Sequence, residues 1–264
     1  MSKLDWLINY LAEERGEKGN IPNDENRKIR LWRALINIRT PKEISNEYIE
    51  KENEYLQERL KNINIIDSKE IKTIDNYYKD TKLQNKDKIA LIKCDITTLK
   101  VDAIVNPANE EGTGCYIPNH NCLDNQITTF GGVLVRLEDA KKIKELGGKL
   151  ITGTAMITKG YNLPSKYIIH TTGPMVINNL TEKERELLKD CYNNSLLIAK
   201  ENNIKTIAFP TISTGIYRFP KDEASKIALK TIDTFISNNK EAFDKVIITV
   251  YTDEDLEIYK NNLY

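Results

Sequence analysis

Cysteine and histidine are scarce in this sequence, whose 264 residues contain four cysteines and two histidines. So few cysteines in a chain of this length exclude the disulfide framework that holds small secreted domains together. No apolar run approaches the roughly 20 residues that a helix needs to cross a bilayer. The first residues also lack the apolar core of a secretion signal. We therefore expect a cytoplasmic protein with reduced thiols and no membrane partner.

Net charge is absent as well, because 39 lysines and arginines balance 39 aspartates and glutamates. Proteins that coat nucleic acids depend on an excess of basic residues, so the balance argues against a nucleic-acid partner. A small anionic ligand is still compatible with this composition, since backbone N–H groups can bind phosphate without net charge.

Despite this scarcity, two cysteines and one histidine fall within residues 114–125, with the spacing Cys-x4-His-x-Cys. These residues are Cys115, His120 and Cys122. Thiolate and imidazole suit Zn²⁺, and three protein ligands with one open position are typical of a catalytic zinc site. The alternative is that the three are merely small buried residues. The Gly-, Pro- and Asn-rich surroundings favour the metal, because a polar loop offers little apolar burial.

Hydrophobic periodicity predicts helices within residues 1–62 and, after them, β-branched runs that alternate with helices. Such alternation predicts a largely parallel sheet with helices on both faces. We place a helical N-terminal extension at 1–70, with Trp32 in its core, and an α/β domain at 71–264. Strands are expected at 89–92, 103–105, 155–158, 167–169, 206–209 and 246–250, and helices near 131–146, 181–202, 221–238 and 253–261.

The ends of two predicted strands carry polar residues, where α/β proteins bind ligands. Asp95 follows the first strand and could accept a hydrogen bond from an adenine amino group, with Ile96 covering the ring. An Asx turn is the simpler explanation of this aspartate. Asn106 and Asn109 follow the second strand, and their carboxamides suit the hydroxyls of a sugar. They are also compatible with a turn that merely needs left-handed backbone angles.

Residues 209–217, with small and hydroxylated residues around Gly215, lie between a predicted strand and a helix. Successive backbone N–H groups exposed there could hold a pyrophosphate. Tyr251 ends the last strand, where an aromatic ring could stack on a base. We interpret His170 as a buried, hydrogen-bonded histidine rather than as a ligand.

Taken together, these segments resemble the macrodomain family of ADP-ribose-binding modules. The matching segments are 94–97, 101–109, 153–155, 170–174 and 210–217. The Cys-x4-His-x-Cys loop and the helical extension are similar to those of a zinc-dependent microbial branch. The resemblance implies a three-layer α/β/α fold with a mixed, largely parallel sheet, a Zn²⁺ cofactor, and hydrolysis of ADP-ribose from the acidic side chains of modified proteins.

The resemblance also implies roles for individual residues and a class of partner. Asn109 would hold the distal ribose and take part in catalysis with Asp124, which could act as a base, orient a metal-bound group or only support the loop. The partner would be ADP-ribose or an ADP-ribosylated protein, such as a lipoyl-carrier protein modified by a sirtuin-type transferase. The ADP-ribose site would comprise Asp95, Ile96, Asn106, Asn109, Ser213, Thr214, Gly215, Ile216 and Tyr217, and the metal site Cys115, His120 and Cys122.

Two positions depart from the family pattern, and two other functions stay open. Thr128 stands where relatives often have histidine, and Cys94 stands where glycine is usual, so the rate and the substrate preference are not fixed by the resemblance. The chain could instead be a reader that binds ADP-ribose without cleaving it. It could also be a fold with a structural zinc that handles another nucleotide or RNA.

Overall fold

The computed structural model describes residues 1–18 and 20–264. Within these residues the chain alternates between helices and strands after an all-helical start, as the sequence predicts. The helices are α1 Lys3–Glu13, α2 Glu25–Ile38, α3 Asn46–Lys61, α4 Leu123–Gly131, α5 Val133–Glu145, α6 Glu182–Glu201, α7 Lys221–Asn238 and α8 Asp253–Asn261. The strands are β1 Ile66–Asp67, β2 Ile89–Lys93, β3 Leu99–Lys100, β4 Ala103–Ala108, β5 Ala155–Lys159, β6 Tyr167–Thr172, β7 Thr206–Phe209 and β8 Lys245–Val250.

The central sheet has six strands in the order β2-β8-β7-β4-β6-β5, and the short strands β1 and β3 pair separately. Every neighbouring pair in the large sheet is parallel except the antiparallel pair of β5 and β6. The prediction of a mixed, largely parallel sheet is therefore confirmed. Because parallel strands share one carboxyl edge, the segments that follow β2, β4, β7 and β8 all emerge on the same side.

Apolar side chains of each strand alternate between the two faces of the sheet, and each face is covered by helices. On one face, Val105 and Phe209 belong to a core that includes residues of α6, α7 and α8. On the other face, Ile104 and Ala208 pack with Ile127 of α4 and with residues of α5. The three-layer arrangement is confirmed. None of the helices in the described part of the chain is long and apolar enough to cross a membrane.

Helices α1 to α3 form a further layer on the outside of α4 and α5. Their core contains Leu7, Trp32 and Tyr48, each at most 1 % exposed, and it includes Val133 of α5. Trp32 is thus a core residue, as expected. Helices α4 and α5 consequently lie between the sheet and the N-terminal extension.

The helix expected near 131–146 differs in the structure, because a separate helix, α4, precedes it and ends at Gly131. The break falls at Gly132, whose φ is +90°. A Cβ atom at this position would lie 2.8 Å from Oε2 of Glu52, so only glycine fits without displacing the extension. The helix predicted near 131–146 therefore corresponds to α5, Val133–Glu145, and α4 was not among the helices predicted from periodicity.

Glu52 of α3 is a carboxyl group buried between the extension and α5. Its Oε2 accepts a hydrogen bond from the backbone N–H of Val133 at 2.7 Å, and its Oε1 accepts one from the hydroxyl of Tyr48 at 3.1 Å. Burial raises the pKa of Glu52 to about 7, although both hydrogen bonds act in the opposite direction. The carboxyl group is therefore protonated in the folded protein at a pH where it is ionised in the unfolded chain.

We predict that Glu52→Gln removes a pH-dependent part of the free energy of unfolding. The unfolded group has its ordinary pKa near 4.5 and the folded group a pKa of about 7. The contribution of Glu52 is therefore complete below pH 4.5, falls as the pH rises towards 7, and then stays constant. Between pH 5 and pH 7.5, the free energy of unfolding measured in urea should fall by a few kcal/mol more for the wild type than for the variant.

The matched control is Glu50→Gln, at an exposed position of the same helix. The difference in the free energy of unfolding between Glu50→Gln and the wild type should be the same at the two pH values. An equal pH dependence of the free energy of unfolding in the wild type and Glu52→Gln would contradict a raised pKa of Glu52.

Candidate functional site

The carboxyl end of β4 carries an asparagine whose amide points into the protein. Asn106 is fully buried, and its Nδ2 donates to Oδ1 of Asp124 at 2.8 Å and contacts Nδ1 of His170 at 3.1 Å. Both amide hydrogens are thereby used, and Asn106 links β4 to β6 and to the first turn of α4. The amide therefore orients Asp124. A contact of Asn106 with a sugar, as considered from the sequence, stays a prediction.

His170, the second partner of Asn106, lies beside another buried carboxyl group, that of Asp139. His170 is 1 % exposed, and its Nε2 lies 2.7 Å from Oγ1 of Thr158 and 3.2 Å from Oδ1 of Asp139. Burial lowers the pKa of His170 to about 3. Burial, and then the charge of Asp124, raises the pKa of Asp139 well above its ordinary value. The interpretation of His170 as a buried, hydrogen-bonded residue is confirmed.

Asn109 and Asp124 lie on either side of the β4–α4 connection. The side chain of Asn109 closes a turn by accepting from the N–H of Gly112 at 3.1 Å, and it remains partly exposed. Asp124 is 6 % exposed, and burial raises its pKa to about 6 against the opposing effects of Asn106 and Arg136. The charge of Asp124 also contributes, after burial, to the raised pKa of Tyr217. Because β4 and β7 are neighbours in the sheet, the β4–α4 connection and the segment after β7 emerge side by side at its carboxyl edge.

The segment after β7 has the backbone geometry of an anion site. Ser213 has a φ of +65°, and no protein acceptor is found in the described chain for the backbone N–H groups of residues 213–217. Ser213 packs so close to Gly173 that a Cβ on this glycine would lie 2.0 Å from the serine Oγ. Five consecutive N–H groups are thus left available for an anion such as a diphosphate, as the sequence predicts. Ile216 is 74 % exposed, so its side chain stands at the rim.

The adenine end expected from the sequence lies at the carboxyl end of β2. Oδ1 of Asp95 accepts hydrogen bonds from the backbone N–H and the hydroxyl of Thr97, at 2.9 and 2.7 Å, which is the Asx turn considered above. Ile96 is 3 % exposed and packs in the core, and its contact with adenine stays a prediction. Tyr251, by contrast, is 76 % exposed at the end of β8. Two strands separate β2 from β4, so the two ends of the crevice lie about 14 Å apart.

The three predicted metal ligands converge. One ligand atom from each of Cys115, His120 and Cys122 lies within 4.8 Å of the other two, in the part of the chain that the structure describes. Sγ of Cys115 lies 3.5 Å from Nδ1 of His120. Cys122 is the N-cap of α4, and its sulfur accepts from the N–H of Asn125. Burial raises the pKa of the Cys122 thiol to about 12, so this thiol needs a nearby cation to ionise.

These residues fit a zinc ion by the chemistry and the spacing of their donor atoms. A tetrahedral zinc with Zn–S near 2.3 Å and Zn–N near 2.0–2.1 Å separates sulfur from nitrogen by about 3.5 Å. The distance from Cys115 to His120 has this value. Two sulfurs and one imidazole nitrogen would fill three positions of a tetrahedral ion and leave the fourth open, as in catalytic sites. Zinc binding itself stays a prediction.

Residues 114–122, which contain the three predicted ligands, form the metal loop. Asn125, which the sequence analysis did not single out as functional, binds backbone carbonyls of this loop. Its Nδ2 donates to the carbonyls of Cys115 and Ile117, at 3.4 and 3.1 Å. Thr128 lies one turn further along α4 and donates to the carbonyls of Asp124 and Asn125. A Cβ on Gly114 would lie 2.6 Å from Cγ2 of Thr128. Thr128 therefore lies beneath the loop, where a bulkier side chain would require a different packing.

The buried carboxyl group of Asp139 was also missed, although the sequence contains a signal for it. Val135, Asp139 and Ile143 are spaced four residues apart and share the buried face of α5. A charged residue at the centre of an apolar stripe indicates a buried polar partner. The partner, His170, comes from β6 and could not be identified from the sequence of α5.

Comparison with known proteins agrees with this architecture. The Macro domain family model matches residues 105–228. A protein-ADP-ribose hydrolase of Treponema medium is 40 % identical over 96 % of this chain and 95 % of its own length. This chain belongs to the macrodomain family. A protein-ADP-ribose hydrolase of Staphylococcus aureus strain MSSA476 is 38 % identical, and the match covers 98 % of this macrodomain and 94 % of the relative.

A solved structure gives the same fold for the core of this macrodomain. The macrodomain of Oceanobacillus iheyensis, determined with ADP, aligns with a TM-score of 0.59 at 34 % identity. The alignment covers 66 % of this chain and 89 % of that structure. The resemblance inferred from the loops at the strand ends is thus confirmed at the level of the family.

The hydrogen bonds of His170 lead to a spectroscopic prediction. Because its Nδ1 faces the amide donor of Asn106, the ring must carry its proton on Nε2 and stay neutral. In ¹⁵N-histidine NMR spectra, one of the two imidazoles should therefore show the Nε2–H tautomer without titrating between pH 5 and 8. His120→Ala should leave this signal in place. Protonation of His170 above pH 5, or the Nδ1–H tautomer, would contradict the network.

Proposed function

We propose that this macrodomain is a zinc-dependent hydrolase that removes ADP-ribose from proteins carrying it on aspartate or glutamate. The observation that carries the proposal is the Cys115–His120–Cys122 cluster, built into the same β4–α4 connection as Asn109 and Asp124. The curated relatives that match almost the whole chain are named protein-ADP-ribose hydrolases. Hydrolysis of a bond to ADP-ribose is therefore the activity that this site supports best.

The crevice offers a separate contact for each part of ADP-ribose. The unpaired N–H groups of 213–217 suit the diphosphate. These residues follow β7, which lies between β2 and β4 in the sheet, so the diphosphate would lie in the middle of the crevice. Asp95 keeps its second carboxylate oxygen free of the Asx turn and can accept from the adenine amino group. The distal ribose would then lie beside Asn109 at the carboxyl end of β4.

The bond to be broken joins the anomeric carbon of this ribose to a protein carboxylate. Its cleavage develops positive charge on the sugar, which a nearby carboxylate stabilises. Asp124 has one oxygen fixed by Asn106, so its other oxygen is available to face the sugar or to accept a proton from an attacking water. Asn109 would fix the sugar through its partly exposed carboxamide.

A bound zinc ion would supply a Lewis acid with one free position, able to polarise a substrate oxygen or to lower the pKa of a water. Cys115, His120 and Cys122 are the residues that would hold it. Cys94 follows β2 and does not belong to the Cys115–His120–Cys122 cluster, and burial raises the pKa of its thiol to about 12. A lipoyl-carrier protein as the modified substrate, and a cytoplasmic location, remain predictions.

The experiment compares the zinc content and the hydrolysis of full-length wild type and Cys115→Ala. Wild type should contain about one zinc per chain and release ADP-ribose from protein modified on glutamate or aspartate, and the variant should lose both. Removing a ligand should cost more than the 10- to 100-fold loss in affinity or activity typical of residues that only support a ligand. Mass spectrometry of the metal and an ADP-ribose release assay provide the two measurements.

The matched control is Cys191→Ala, which removes a buried sulfur of α6 outside the cluster. Its zinc content and turnover should match those of the wild type. Full turnover without metal would contradict the zinc requirement. Tight binding of ADP-ribose with zinc present but no release would identify a reader instead.

A further inference from the structure

The metal loop, defined as residues 114–122, has little structure of its own. It contains no helix or strand. In the described chain, a single backbone hydrogen bond joins two residues of the loop, from the N–H of His120 to the carbonyl of Ile117. Ile117 is 58 % exposed, so its side chain contributes little packing to the loop. Hydrogen bonds from neighbouring elements therefore contribute to the positions of the ligand atoms.

Asn37, near the end of α2, supplies one of these hydrogen bonds. Its Oδ1 accepts from the N–H of Asn119 at 3.0 Å, and its Nδ2 donates to Oγ1 of Thr129 in α4 at 2.8 Å. Asn37 is 1 % exposed, so both contacts form away from water. Asn119 directly precedes His120 and has a φ of +54°, which the bond from Asn37 helps to hold. One side chain thus fixes the backbone before His120 relative to α4.

Arg33, one turn earlier in α2, acts on the loop through Asn125. Its guanidinium donates to Oδ1 of Asn125 at 3.1 Å and approaches the carbonyl of His120 at 3.5 Å. Because Oδ1 of Asn125 faces the arginine, its amide nitrogen faces the carbonyls of Cys115 and Ile117. Arg33 therefore sets the orientation in which Asn125 holds the loop.

Arg136 of α5 joins the end of α2 to the first ligand. One of its terminal nitrogens donates to the carbonyls of Ile36, Asn37 and Arg39, at 2.8–3.0 Å. The other donates to the carbonyl of Cys115 at 3.1 Å. Carbonyls at a helix C-terminus carry partial negative charge, which makes this a favourable place for a buried guanidinium. The backbone of Cys115 is thereby tied to the last turn of α2.

We propose that helix α2 is a positioning element of the metal site, acting through Asn37, Arg33 and the link to Arg136. Each of the first two ligands is reached by at least one of these contacts, and Cys122 is fixed separately as the N-cap of α4. The N-terminal extension thereby holds the sulfur and nitrogen donors at metal-binding distance before the ion arrives. The inference rests on the metal site of the proposed function, and its test measures metal affinity rather than turnover.

The test measures the zinc affinity of the full-length protein by competition with a chromophoric chelator. Asn37→Ala and Arg33→Met should each weaken zinc binding about 10- to 100-fold, as is typical for residues that support ligands. Arg33 is only partly buried, so Arg33→Met gives a folded variant even if Asn37→Ala destabilises the extension. In the Co²⁺-loaded variants the d–d bands should shift, which reports altered ligand geometry.

The control is Leu7→Ala, which weakens the core of the extension without touching the loop. It should keep wild-type zinc affinity while lowering the denaturation midpoint. Zinc affinity within twofold of the wild type in both test variants, or an equal loss in Leu7→Ala, would overturn the positioning role. A wild type that binds no zinc would overturn the metal site, whereas tight zinc binding without ADP-ribose release would contradict only the proposed activity.

Discussion

The first turn of α4 is the constraint on which the candidate site depends. The N-cap of α4 is the predicted ligand Cys122, and its first turn contains Asp124 and Asn125. Asp124 receives the amide of Asn106 from β4, and Asn125 donates to the metal loop. The first turn of α4 therefore fixes the carboxyl end of β4, where the sugar is expected, relative to the Cys115–His120–Cys122 cluster, where the metal is expected. A displacement of this turn would move both together.

The layers around α4 explain why this turn is held firmly. The sheet packs against one side of α4 through Ile127, and the extension packs against the other side around Phe130. Buried polar groups in such a position are costly unless they are hydrogen-bonded. The amide nitrogen of Asn106 forms such bonds with Asp124 and His170 inside the sheet layer, and Asn37 and Arg136 form them on the outer side.

How far the sequence predicts the structure depends on the distance between the partners along the chain. The convergence of Cys115, His120 and Cys122 was predictable because the three are close in sequence and lie in one polar loop. The fold followed from the alternation of apolar runs and helices. The inward orientation of Asn106 was not predictable, since its partner His170 is 64 residues away. The bond from Asn37 to the metal loop spans 82 residues and leaves no local pattern.

X-ray absorption at the zinc edge of the metal-loaded, full-length protein tests the central claim most directly. The account predicts a first shell of two sulfurs near 2.3 Å, one imidazole nitrogen near 2.0–2.1 Å and one further light atom. Addition of ADP-ribose should alter the light-atom contribution and leave the two sulfurs unchanged. A shell without sulfur, or one with four sulfurs and no light atom, would contradict a three-ligand site beside the crevice.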